Sequence, residues 1–236
     1  MRIRFLKHKD AHYPTLGDSS AVLTLSDNKH LVLDYGDSAY GKFHSYYQEP
    51  PAAVFIAHNN PSYLVDLEYL FFDAAPNATQ TMTLFLPADL VSQFDHHFAN
   101  VLADDGRRFR DVFKVVSVST YFYFDGLRFS VFKNPPQSDT ITLGVVLPRH
   151  FLYTGCTEPN ADVVTRFAGR GELVFHDMSF EANCPDKCLA KMESAYSAAI
   201  LRRTWCYHMT GDVSESDIEQ RGLKPVSDRD SFIFNC

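Results

Sequence analysis

Hydrophobic and polar positions along the chain fall mostly into short alternating or continuous apolar runs, divided by turn residues, with fewer stretches at helical spacing. Residues 2–6 alternate charge and bulk, the pattern of a half-buried strand. Residues 21–25 and 31–34 are two further strands, joined through Ser26-Asp27-Asn28-Lys29, a run rich in hairpin-turn residues. Asp34-Tyr35-Gly36-Asp37 then stops the strand in a turn. Residues 52–57 form a continuous apolar run, as expected of a strand buried on both faces. Past Pro61, the spacing of Leu64, Leu67, Leu70 and Phe71 predicts the first helix. Residues 82–86 are another strand, closed by Pro87, and 88–103 an amphipathic helix.

The middle of the chain is dense in Val, Phe, Tyr and Thr, and strands are predicted over 112–119, 121–124, 127–132 and 140–147. Asp125-Gly126 between two of them is a strong hairpin signal. Residues 151–153 and 173–175 are short buried strands flanking a helix near 160–168. A long helix follows over 187–202, and 204–207 is the last clear strand. Without internal repeat, linker or low-complexity segment, the pattern predicts a single αβ domain over residues 1–236.

A chain of 236 residues with 45% hydrophobic and 14% aromatic content can bury roughly three-quarters of its unfolded surface, so a core needs no disulfides. The net charge of −7 argues against general nucleic-acid binding, which needs an excess of Lys and Arg. A local basic patch such as Arg107-Arg108-Phe109-Arg110 reads as solvated surface. Five cysteines form no evenly spaced framework, and reduced thiols in a cytoplasm are the simplest account. No apolar signal core opens the chain, and no run approaches the 18 or so apolar residues of a membrane-spanning helix. A cytoplasmic protein without membrane contact is expected.

The candidate chemistry gathers at loops that follow strands. Val54-Phe55-Ile56-Ala57-His58-Asn59-Asn60-Pro61-Ser62-Tyr63-Leu64 resembles the metal loop of the metallo-β-lactamase superfamily, which has the form His-x-His-x-Asp-His between a buried strand and a helix. The four ligand positions fall on His58, Asn60, Ser62 and Tyr63, and the first alone is kept. Gly17-Asp18-Ser19-Ser20-Ala21 and Leu31-Val32-Leu33-Asp34-Tyr35-Gly36 are similar to the family's opening strands, with Asp34 at a structural aspartate. Tyr153-Thr154-Gly155-Cys156-Thr157-Glu158-Pro159 resembles the Ser-Gly-Asp-Thr-x-Pro turn of the RNase Z and cyclic-nucleotide phosphodiesterase branch, and its bridging aspartate falls on Cys156. Residues 171–180, containing His176-Asp177, are similar to the next strand of that branch. The family's final histidine corresponds to His208, and the remaining ligand histidine to Asn134. The resemblance spans about residues 1–212. It implies an α/β (α+β) fold, the four-layer αβ/βα sandwich of two mixed β-sheets face to face with helices outside.

The same resemblance implies one metal held by three histidines, a second held by an aspartate and two histidines, and a bridging aspartate and hydroxide. Here the first metal would have His58, Asn60 and Asn134, and the second Ser62, Tyr63, His208 and Cys156. An amide oxygen is a poor zinc donor beside an imidazole, and neutral hydroxyls would have to lose protons. Without the ion nothing lowers the pKa of water toward 7, and His58 with His208 as an acid/base pair would supply only about 10²–10⁴-fold. No cofactor is therefore expected, and the chain reads as a pseudo-enzyme whose cleft of His58, Asn60, Ser62, Tyr63, Asn134, Cys156 and His208 binds a nucleotide or other small ligand, or a protein partner. Two alternatives stay open. One is a phosphodiesterase-type hydrolase keeping one zinc or manganese on His58, Cys156 and His208. The other is a structural subunit with a vestigial cleft. Homodimerisation is common in this branch and is expected here.

Four smaller features stand beside this site. Cys184-Pro185-Asp186-Lys187-Cys188, with Cys206 and His208, has a spacing seen in structural zinc sites, although separate free thiols are the simpler reading. His96 and His97 point about 100° apart on one helix and cannot grip one ion together. His176-Asp177 is a candidate base and orienting carboxylate, with a buttressing role favoured. Tyr121-Phe122-Tyr123-Phe124 reads as sheet.

Overall fold

The computed structural model describes residues 1–6, 20–25, 29–36, 39–74, 81–135, 141–178, 185–209, 214–227 and 230–234. The chain divides into two compact units. Among the described residues, those within 1–6, 20–119 and 231–234 belong to unit 1 and those within 120–230 to unit 2. Each unit carries one seven-stranded mixed sheet.

In unit 1 the strands are β1 (Arg2–Phe5), β2 (Ala21–Thr24), β3 (His30–Leu33), β4 (Ala53–Phe55), β5 (Met82–Pro87), β6 (Phe113–Val118) and, from the far end of the chain, β14 (Ser231–Ile233). Their order is β14-β1-β2-β3-β4-β5-β6. The pairs from β14 to β3 are antiparallel and those from β3 to β6 parallel. Strands β3 and β4 are buried at every position, which is why their sequences read as continuous apolar runs. Helices α1 (Ala39–Tyr46), α2 (Pro61–Ala74), α3 (Val91–Val101) and α4 (Phe109–Val112) pack Phe43, Tyr63, Leu67, Phe71, Phe94, Phe98 and Phe109 onto a row that includes Val32, Val54 and Leu84. The rings of Phe98 and Phe109 stack at 4.2 Å.

Unit 2 runs in the order β13-β12-β11-β10-β9-β8-β7. Its strands are β7 (Tyr121–Phe124), β8 (Leu127–Lys133), β9 (Leu143–Leu147), β10 (Phe151–Tyr153), β11 (Leu173–Asp177), β12 (Thr204–Tyr207) and β13 (Lys224–Pro225). Strands β7 to β10 pair antiparallel and β10 to β13 parallel. Asp125 and Gly126 have φ of 48° and 78°, the left-handed pair that a two-residue hairpin turn requires. Helices α5 (Ala161–Ala168), α6 (Pro185–Ala195), α7 (Ala198–Leu201) and α8 (Glu215–Gln220) belong to this unit. Its core joins Val164, Leu189, Met192, Ile200 and Ile218 to Val146, Leu152, Val174 and Cys206.

Three expectations change. The first helix is α1, not the one after Pro61. Gly41 and short length mute its pattern, and its Ala39 amide is capped from α2 by the Asp66 carboxylate at 2.8 Å. The long helix over 187–202 is two helices, because Ser197 is extended and its hydroxyl caps the Ile200 amide at 3.4 Å. Strand 204–207 is not the last, since β13 and β14 follow. The turn at Ser26-Asp27-Asn28 lies outside the described residues.

Two buried histidines give the fold a pH dependence. Burial holds His30, in β3, and His176, in β11, below the ordinary imidazole value of about 6.5. Between the folded and unfolded values the unfolded chain binds more protons, so stability rises with pH there. It is full above about 6.5 and is lost as pH falls toward the folded-state values. Urea titrations at pH 7.5, 6 and 5 should show a falling midpoint. His176→Gln should flatten part of that fall, and an unchanged slope contradicts the assignment.

Candidate functional site

In unit 1 the candidate residues gather on the loop from β4 into α2. Asp34, just past β3, adopts φ of 55° and is fully buried. Its amide donates to the Phe55 carbonyl at 2.7 Å, and its Oδ1 accepts from the Ala57 amide at 2.7 Å. The aspartate therefore fixes where the chain leaves β4, the structural role its sequence position implies. His58 follows, half-buried, with Nδ1 lacking a hydrogen-bond partner among the described residues.

Asn60 is turned into the backbone. Its Oδ1 accepts from both the Ser62 amide and the Ser62 hydroxyl, each at 3.0 Å, and its carbonyl accepts from the Tyr63 amide. That is an N-cap with Pro61 at the first helical position, the arrangement that satisfies a helix start. Tyr63 is fully buried and belongs to the unit 1 core. Its ring meets His58 edge-on, with centroids 5.2 Å apart. It also lies over Gly36, where an added Cβ would come within 2.2 Å of Tyr63 Cδ1 and 2.6 Å of Ser62 Oγ.

In unit 2 the candidate residues sit at the ends of β8, β10, β11 and β12. Asn134 is buried, and its Nδ2 donates to the Thr154 carbonyl at 2.8 Å while Oδ1 has no hydrogen-bond partner among the described residues. Thr154 leads into Gly155, whose φ of 64° turns the chain, and then to the partly exposed Cys156. The Thr154 Oγ1 accepts from the Asp177 amide at 3.2 Å. His208 follows β12 with φ of 55°, and its Nδ1 lies 3.3 Å from Asp177 Oδ2.

The pairing expected within His176-Asp177 is corrected by this geometry. His176 Nδ1 faces the carbonyl of Asp177 at 2.8 Å, and the Asp177 carboxylate serves His208 instead. Strand alternation sends the adjacent His176 side chain to the other face, where it meets the Tyr196 ring. Strand alternation also does not carry Cys206 and His208 to one face, because His208 has left the strand. Cys188 and Cys206 are core thiols, and burial pushes the Cys206 thiol far above its ordinary value, disfavouring the thiolate that zinc needs. Cys184 lies outside the described residues, as do Cys236 and the stretches 17–19 and 179–180.

The remaining candidates lie elsewhere. His97 pairs with Glu68 at 2.6 Å and His96 contacts Asn100 at 3.3 Å. Arg107, Arg108 and Arg110 are paired with Asp105, Asp111 and Asp95, so the basic patch is internally neutralised. Among the described residues, no group of three or more His, Cys, Asp or Glu side chains is placed to hold a metal ion, and no helix is long and apolar enough to cross a membrane.

Solved structures place the fold. The chain is similar to the metallo-β-lactamase fold protein YhfI from Bacillus subtilis, at 11% identity and TM-score 0.70 over 98% of each chain. It is similar to a diphosphatase of the PhnP family, at 13% identity and TM-score 0.70 over 99% of this chain and 98% of that one. Human tRNase Z, short form, matches over 100% of both chains at 13% identity and TM-score 0.67. No curated protein sequence matches. These likenesses define a metallo-β-lactamase fold with two mixed sheets and helices around them. The family model described as Anti-Pycsar protein Apyc1 matches residues 1–232, and the chain belongs to that family.

Proposed function

We propose that this chain is a non-catalytic member of its cyclic-nucleotide-related family, one that binds a nucleotide ligand without hydrolysing it through a two-metal centre. The observation that carries this reading is what the substituted side chains do. Asn60 and Ser62 cap a helix, Tyr63 fills a core, and Asn134 ties β8 to β10. Each has a structural task in place of a ligand's task. The metal such a fold implies is zinc or manganese, and this donor set does not fit a pair of them. The Asn60 and Ser62 oxygens are already engaged in hydrogen bonds, and neutral amide and hydroxyl oxygens, Asn134 Oδ1 among them, offer no charge to a divalent ion. No hydrolytic step is derived through a metal here. A protein partner is the other occupant we propose for the same surface, with the cytoplasm as the place of action.

A second reading is favoured by one contact. A carboxylate on the far nitrogen of a histidine is how metal-ligating imidazoles are held, and Asp177 stands so to His208. With the Cys156 thiol in the same unit, that supports a hydrolase with one altered metal site.

Thermal shift with a panel of purine and pyrimidine 3′,5′-cyclic mononucleotides, followed by chromatography of the mixture, separates the two. A ligand at 100 times its Kd adds about 2.7 kcal/mol, or roughly 5–11 °C in Tm for a chain of this size. We expect such a shift with the nucleotide recovered intact. Turnover that EDTA abolishes sinks the proposal and selects the one-metal hydrolase. A flat screen together with a stoichiometric co-purifying protein selects the partner.

A further inference from the structure

Unit 2 carries a connected set of polar groups that the sequence reading did not join. Strand β8 runs antiparallel to β9 and β9 antiparallel to β10, so β8, β10, β11 and β12 share one direction. Asn134, Thr154, Asp177 and His208 therefore lie together at carboxyl ends, where αβ sheets place their ligands. They are linked in sequence: Asn134 Nδ2 to the Thr154 carbonyl at 2.8 Å, the Asp177 amide to Thr154 Oγ1 at 3.2 Å, and Asp177 Oδ2 to His208 Nδ1 at 3.3 Å. Asp177 is 1% exposed and His208 12%.

The polarity of this set follows from its donors and acceptors. An ionised carboxylate can only accept, so a hydrogen bond across this contact requires the His208 proton on Nδ1, which in the neutral ring makes Nε2 an acceptor. Asn134 gives one of its two Nδ2 hydrogens to the Thr154 carbonyl, and its buried Oδ1 is an acceptor as well. We propose that Asp177 is a positioning residue that holds His208 with Nε2 as acceptor, so that unit 2 recognises a hydroxyl or amino donor of the ligand and not its phosphate oxygens. This rests on the ligand-binding reading above. A cyclic ribonucleotide offers its 2′-hydroxyl as such a donor, whereas its phosphate oxygens only accept. A site built to bond a hydroxyl discriminates strongly against the analogue that lacks it.

Nitrogen-15 NMR of the full chain at pH 8, with His208→Gln to assign the signal, reads the tautomer directly. Wild type should show neutral His208 protonated at Nδ1. Asp177→Ala should shift it toward the Nε2–H form that free imidazole side chains favour, and Asp177→Asn, whose amide oxygen still accepts, should restore Nδ1–H in part. An Nε2-protonated or doubly protonated ring in wild type overturns the positioning role, even where a variant fails to fold. For recognition, a 3′,5′-cyclic ribonucleotide should bind wild type roughly tenfold or more tightly than its 2′-deoxy analogue. Equal affinities overturn that part. If no cyclic nucleotide binds, the functional reading falls, while the tautomer still decides what Asp177 does.

Discussion

Tyr63→Ala should lower the free energy of unfolding by about 3–5 kcal/mol, the range for removing a large ring from a filled core. The residue falls at a histidine position of the metal loop that the sequence resembles, yet its ring is fully buried in the unit 1 cluster with Leu67, Val32 and Val54. A ligand side chain facing a cleft would cost far less to truncate. Urea titration of wild type and variant gives the difference through their midpoints at constant slope. A loss under about 1 kcal/mol would remove Tyr63 from the core and return it to the list of binding residues.

Gly36→Ala tests the same packing from the opposite side. The new methyl would stand 2.2 Å from Tyr63 Cδ1 and 2.6 Å from Ser62 Oγ. Neither neighbour is a flexible side-chain end, since one is a buried ring and the other bonds Asn60. Overpacking of this kind costs about 1–3 kcal/mol. If the clash is with Tyr63, the two substitutions must couple. Gly36→Ala should cost at least about 1 kcal/mol less in the Tyr63→Ala background, within the range found for residues in contact. Additive effects would place the glycine's constraint elsewhere.

Much of this fold was legible because its strands are buried on both faces or hinge on marked turns. Residues 31–34 and 52–57 announced β3 and β4 by continuous apolar content, and Asp125-Gly126 announced the β7–β8 hairpin. What escaped were elements too short for periodicity to register. Helix α1 carries Gly41 and is capped by Asp66, a partner 27 residues away that no local pattern reveals. Strands β13 and β14 have two and three residues and are specified by their pairing neighbours. Helix α8 did leave a signal in Ser214 and Asp217, which form a reciprocal cap at its start.

Candidate residues could be named from the sequence, but their wiring could not. Resemblance singled out Asp34, His58 and His208. It gave no means to see that Asn60 would cap its own helix, since an asparagine just before a helix serves equally as cap or as donor. Nor could it tell which face of β11 Asp177 would choose, and that choice moves the carboxylate from His176 to His208. A left-handed His208 breaks the alternation on which the sequence argument leaned.

If Asn60, Ser62, Tyr63 and Asn134 do structural work in place of ligands, as we propose, the chain holds no pair of metal ions. Elemental analysis of the full chain, purified at neutral pH without chelator and supplied with zinc and manganese, reaches that point most directly. The account predicts well under one equivalent of either metal per chain after dialysis. Two tightly held equivalents per chain would contradict it.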